Sequence, residues 1–98
     1  MNVSPTNRKV VITNPAGLHA RPADLFVKTS LRFTAKVTVV KGAERVDGRS
    51  ILGLLTLGAA EGTELTLEAD GPDAEEALEA LADLVASNFA DKETLNQQ

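Results

Sequence analysis

Three stretches of the chain carry the pattern of β-structure. Lys9-Val10-Val11-Ile12-Thr13 is short and β-branched. Ala35 to Val40 sets Val37 and Val39 against Lys36 and Thr38, the alternation of a half-buried strand. Glu64-Leu65-Thr66-Leu67-Glu68 alternates in the same way. A fourth, shorter strand, Glu44-Arg45-Val46, returns after the turn Lys41-Gly42-Ala43. Two stretches follow a helical period. Ala20 to Leu31 places Ala23, Phe26, Val27 and Leu31 at offsets of three and four. Pro22 is tolerated only in the first turn of that helix, so the helix begins next to His19. Asp73-Ala74-Glu75-Glu76 resembles a capping box, with Asp73 as N-cap and Glu76 at N3. The helix after it runs to about Ala90, with Leu78, Leu81, Val85 and Phe89 on one face. Ser50 to Leu57 is ambiguous by period. Ser50 as N-cap and Gly58 as stop favour a short helix, weakened by about 1 kcal/mol at Gly53 relative to Ala.

The order β-α-β-β-α-β-α predicts an α+β fold with its helices on one face of a sheet. Lys36 and Thr38 belong to the opposite, polar face. With 98 residues the chain has room for a single domain. Its ends are polar, so residues 1–7 are expected to be a loose arm, 8–90 the domain and 91–98 a frayed tail. Hydrophobic residues make up 43%, and all three aromatics are Phe, so Leu, Val and Ala must build the core.

Charge and composition then exclude several functions. The net charge of −4 opposes nucleic-acid binding, which needs a basic footprint. No run approaches the ~20 apolar residues of a membrane span, and Met1 to Asn7 lacks the marks of a signal peptide, so a cytoplasmic protein is expected. Without Cys there is no disulfide or thiolate site, and a single His completes no metal site, so neither metal nor cofactor is expected.

That single histidine, His19, stands in Asn14-Pro15-Ala16-Gly17-Leu18-His19-Ala20-Arg21-Pro22-Ala23. A lone His is most often a surface or core residue, but this one is placed at a helix start. Backbone N–H groups without helical acceptors gather there, and the dipole disfavours a cation and favours an anion. The uncharged, nucleophilic ring is favoured, and the N–H groups of Ala20 and Arg21 can cradle a phosphate. Arg21 adds a fixed cation whose fork suits phosphate. Nucleophile, anion cradle and cation lie within three residues, which is what a transient phosphohistidine requires. A general-base role has no second catalytic group beside it. Ser50 is expected to be a helix cap, and its hydroxyl beside Arg49 is in principle also a phosphorylation target. Ile51, Leu52, Leu54 and Leu55 exceed one helical stripe, so some must be exposed and offer a docking surface.

Gly17-Leu18-His19-Ala20-Arg21-Pro22-Ala23 resembles the active-site signature of the HPr phosphocarrier family of the bacterial sugar phosphotransferase system. Arg49-Ser50-Ile51-Leu52-Gly53 resembles the family's regulatory-serine segment, and Leu57 to Leu65 the segment after it. The similarity covers about residues 8–90. It implies a βαββαβα open-faced sandwich with a four-stranded antiparallel sheet. It further implies that His19 takes a phosphoryl group at Nδ1 from phosphorylated enzyme I, which draws on phosphoenolpyruvate. The group then passes to the A domains of enzymes II. Such a protein is a monomeric transfer carrier rather than a stand-alone enzyme, and Ile51, Leu52 and Leu55 would meet its partners. In many family members a kinase/phosphorylase modifies the serine matching Ser50, and the modified carrier serves catabolite regulation with a transcriptional regulator. Two alternatives remain at this point: a regulatory paralogue uncoupled from sugar transport, and an interaction module in which His19 is only structural. The arm is longer than in compact members. Asp24 stands where the family places a small or hydroxyl residue; its carboxylate suits the helix dipole but repels a phosphate on His19.

Overall fold

Period-two burial organises the sheet. The structure, a computed structural model, describes residues 6–89, so residues 1–5 of the expected arm and all of the expected tail lie outside the described residues. Its elements are β1 (Thr6–Val11), α1 (Ala20–Ser30), β2 (Lys36–Lys41), β3 (Glu44–Asp47), α2 (Ile51–Thr56), β4 (Glu64–Asp70) and α3 (Ala74–Ala86). The strands form a four-stranded antiparallel sheet in the order β1-β4-β2-β3. In β4, Leu65, Leu67 and Ala69 are buried while Thr66 and Glu68 face the other way. Register brings Val10 opposite Leu65 and Val39 opposite Leu67. On this face lie Ala23, Phe26 and Val27 of α1, Leu54 of α2, and Ala77, Leu78, Leu81 and Val85 of α3. A core of this kind is held mainly by apolar area removed from water. The uncovered face is polar, as expected. Lys36 is exposed and Thr38 half-buried there, and Arg45 of β3 reaches across β2 to Glu68, Nη2 to Oε1 at 2.6 Å.

Among the differences from the sequence expectation, four have a clear physical reason. β1 begins at Thr6 rather than Lys9: Thr6 and Asn7, expected in the arm, pair with Ala69 and Glu68 because β4 is long enough to offer them backbone partners. It also ends at Val11. Ile12 and Thr13 leave the ladder, although Ile12 still donates to Thr63 O and accepts from Gly62 N. α3 stops at Ala86 rather than near Ala90, because Asn88 and Phe89 both adopt φ of 59°. Asn88 N donates to Val85 O and Phe89 N to Leu84 O, the bond pattern of a Schellman ending. This turn folds Phe89 back into the core. Asn tolerates the left-handed region better than most residues, and the Asn88 side chain accepts from Thr13 Oγ1.

The fourth difference is the capping box. Asp73 does head α3, but its carboxylate makes no cap bond. Its two oxygens instead accept from Thr34 N at 2.9 Å and Ala35 N at 2.8 Å, in the connection from α1 to β2. Arg49 secures the same connection from its carbonyl side, with Nη2 2.8 Å from Phe33 O. The Thr34 hydrogen bond, followed by that of Ala35 and the nearby Arg49 charge, holds the Asp73 carboxyl below the usual aspartate range against the opposing effect of desolvation. A carboxyl lowered in the folded state stabilises above its ordinary value, and the contribution disappears as pH falls through the folded value. Asp73→Asn is therefore expected to melt below the wild type at neutral pH. The gap should close in melts taken from pH ~7 down to pH ~2; a gap that persists in acid would remove the charge from the explanation.

Candidate functional site

The segment between β1 and α1 is built against the chain that follows α2. Gly17 N donates to Asn14 O, and the buried Asn14 side chain closes the turn from the other side, Nδ2 to Gly17 O at 2.7 Å. Gly17 has φ of 74°, and a Cβ built there would lie 2.6 Å from Ala59 O and 3.0 Å from Ala60 Cα. Both facts require glycine. The next residue completes the dock: Leu18 N donates to Ala59 O at 2.8 Å, and the Leu18 side chain is buried.

His19 follows directly, as the N-cap of α1, with extended φ and ψ of −92° and −166°. Its carbonyl accepts from Ala23 N, while its side chain makes no cap bond and the residue is exposed. The imidazole is thus placed at the helix head without being consumed by it. Pro22 brings no N–H to this turn, so Ala20 and Arg21 supply the N–H groups that precede the first helical hydrogen bond. The Arg21 side chain lies on the exposed side of the same turn, with Nη1 4.0 Å from Asp24 Oδ2. His19, Ala20 and Arg21 therefore share one helix end.

The second cluster lies on α2, which packs against α1. Ser50 is its N-cap, Oγ accepting from Gly53 N at 2.9 Å. Leu54 is fully buried, whereas Ile51, Leu52 and Leu55 are exposed, Leu52 by 73%. One apolar stripe could not bury all four. The C-terminal end of α2 runs through Leu57 and Gly58 to Ala59, the residue on which the Gly17 turn docks. Ser50 is at the opposite end of this six-residue helix, about 9 Å away along its axis.

Three supporting side chains escaped the sequence reading. Asn14 locks the turn in which it stands; an Asn three residues before a Gly in a turn cluster carries that signal. Lys41 donates from Nζ to Leu57 O at 2.8 Å and so caps the C-terminus of α2. Arg49 pins the start of α2 to Phe33 O. Neither long-range contact has a local sequence signal. Among the described residues no helix is long and apolar enough to cross a membrane, and no group of three or more His, Asp and Glu residues is arranged to hold a metal ion.

Comparison with known proteins agrees with this geometry. Residues 6–87 match the family described as PTS HPr component phosphorylation site. The chain is 44% identical over 86 residues to phosphocarrier protein HPr of Neisseria meningitidis serogroup B, covering 88% of this chain and 97% of that protein. It is 48% identical over 75 residues to the HPr-like protein Crh of Bacillus subtilis, covering 76% and 88%. The crystal structure of HPr-C-His from Thermoanaerobacter tengcongensis superposes with a TM-score of 0.84 at 42% identity, covering 88% of this chain and 97% of that one. The fold, the signature around His19 and the extent of these matches lead to one conclusion: the chain belongs to the HPr family, the phosphocarrier components of the phosphotransferase system.

Proposed function

We propose that the protein takes a phosphoryl group on His19 Nδ1 from phosphorylated enzyme I and passes it to the A domains of sugar-specific enzymes II. The observation that carries this is the exposed His19 imidazole, unused by the cap it forms, at the head of α1 beside Arg21. The neutral ring presents the Nδ1 lone pair to phosphorus. As the P–N bond forms, the bond from phosphorus to the donor breaks and its electron pair leaves with the donor. The proton on Nε2 stays in place. The new anion then meets the positive end of the helix dipole, the N–H groups of Ala20 and Arg21, and the Arg21 guanidinium. The dipole and the N–H groups need no assembly during transfer, because the docked Gly17 turn already fixes the helix start. Transfer onward reverses the same bond changes.

Ile51, Leu52 and Leu55 are the proposed contact patch for both partners. Their exposure on a helix tied to the His19 turn supports that role. Ser50 heads this helix, so its phosphorylation would put negative charge into the patch. A regulatory role is favoured by the likeness to Crh, the catabolite repression HPr of Bacillus subtilis; a kinase/phosphorylase and a transcriptional regulator would then be further partners. The phosphorylatable His19 and its Arg21 favour the carrier reading.

His19→Ala should fold normally, since the side chain is exposed and makes no cap bond. It should take up no acid-labile, base-stable phosphate when incubated with phosphoenolpyruvate and enzyme I, whereas residual label of that kind would remove His19 from its role. In the same assay Arg21→Gly should slow transfer by roughly 10- to 1000-fold, about 1.4–4 kcal/mol of barrier.

Ser50→Ala and Ser50→Asp separate capping from switching. The first loses the oxygen that accepts from Gly53 N and should lower stability by about 1 kcal/mol while keeping transfer. The second retains an acceptor and suits the helix dipole. It should stay stable yet accept phosphate poorly; wild-type transfer by Ser50→Asp would leave Ser50 as a cap alone.

A further inference from the structure

Asp24 is the charged group beside the signature that the phosphocarrier chemistry leaves unused. It lies in α1 one turn beyond Arg21, three residues on, and Lys28 follows four residues later. A single carboxylate oxygen, Oδ2, serves both cations: Lys28 Nζ is 3.1 Å away, and Arg21 Nη1 is 4.0 Å away. The carboxylate is therefore held firmly by Lys28 and only at the limit of ion pairing by Arg21. Asp24 is half-buried, and both cations are more exposed than it is. Arg21 thus has an anion to one side, along the helix, while the helix head where His19 stands is the site for a second.

We infer that Asp24 is a positioning residue which competes with a phosphoryl group on His19 for the Arg21 guanidinium, and that Lys28 sets the strength of this competition. The inference rests on the reading of His19 as phosphoryl acceptor. Before transfer Arg21 leans on the Asp24 carboxylate. When the P–N bond at Nδ1 has formed and the donor has left with the electron pair of the broken bond, Arg21 must give up that carboxylate to meet the phosphate. The lost contact raises the free energy of the phosphorylated carrier relative to the free one. The phosphoryl group is consequently easier to hand on and harder to load. Lys28 stays with Asp24 throughout, so Arg21 leaves no unpaired carboxylate behind. Without Lys28, Asp24 would hold Arg21 more strongly. The two substitutions therefore act in opposite directions, which a general change in helix stability would not produce.

The measurement is the equilibrium of phosphoryl exchange between intact protein and stoichiometric phosphorylated enzyme I, taken at low and high salt. Asp24→Asn should move the equilibrium toward the phosphorylated carrier by about 2- to 5-fold, the range available to an exposed ion pair, and salt should shrink the effect. Lys28→Met should move it the other way, and Asp24→Glu should restore the wild-type position. In an Arg21→Gly background, which loads slowly but still reaches equilibrium, Asp24→Asn should lose most of its effect and keep only the direct repulsion between carboxylate and phosphate. The inference is overturned if Asp24→Asn leaves the equilibrium unchanged, if both single variants shift it in one direction, or if the Asp24 effect survives in full without Arg21. A wild-type protein that takes no phosphate from enzyme I would instead overturn the acceptor reading itself, an outcome distinct from equal loading of wild type and variants.

Discussion

The functional end of this molecule depends on one close approach of backbone to backbone, that of Gly17 to Ala59. No side chain fits between them, and the turn that makes the approach has a positive φ. Two hydrogen bonds fix it, one from Asn14 to Gly17 O and one from Leu18 N to Ala59 O. On one side of this contact stands His19 at the head of α1, and on the other the loop leaving α2. The contact therefore sets where the His19 imidazole lies relative to the exposed apolar residues of the second helix. A site on an irregular loop gains in this way the rigidity of the two helices and the sheet beneath them.

Electrostatics at the helix head follows from that placement. A helix start offers N–H groups and a positive dipole end to any anion. Here the N-cap is a residue whose side chain makes no cap bond, so this potential is not spent on a Ser or Asp side chain. The contrast with α2 is direct, since Ser50 there satisfies Gly53 N with its own hydroxyl. Two helix starts in one domain thus take opposite solutions. One is closed by its cap, and the other is left open beside a cation.

What could be read from the sequence was whatever is periodic or local. Val37, Val39, Leu65 and Leu67 alternate because one sheet face is buried, and Phe26, Leu78, Leu81 and Val85 recur because one helix face is. Pro22 and Ser50 marked their helix starts by chemistry confined to a single turn. The candidate site was legible for the same reason, since His19, Ala20 and Arg21 are neighbours in the chain and share one helix end. Contacts between distant segments were not. Thr6 and Asn7 join an edge strand through backbone pairing that leaves no mark on side-chain pattern. Asp73 has the local appearance of a capping residue, yet bonds Thr34 and Ala35 on another connection. Phe89 continues the apolar period of α3 beyond the helix because a left-handed turn, not a further helical turn, returns it to the core.

On the proposed function, the docked Gly17 turn, and not the mere presence of His19, makes the helix head competent. Phosphoryl transfer from enzyme I to Gly17→Ala, timed well below its melting temperature, tests this most directly. A methyl group at Gly17 must push against Ala59 O in a backbone region that L-residues avoid. A folded, less stable protein is expected, in which His19 is still labelled but about tenfold or more slowly, the effect of a small misplacement of reacting groups. Transfer at the wild-type rate would contradict it.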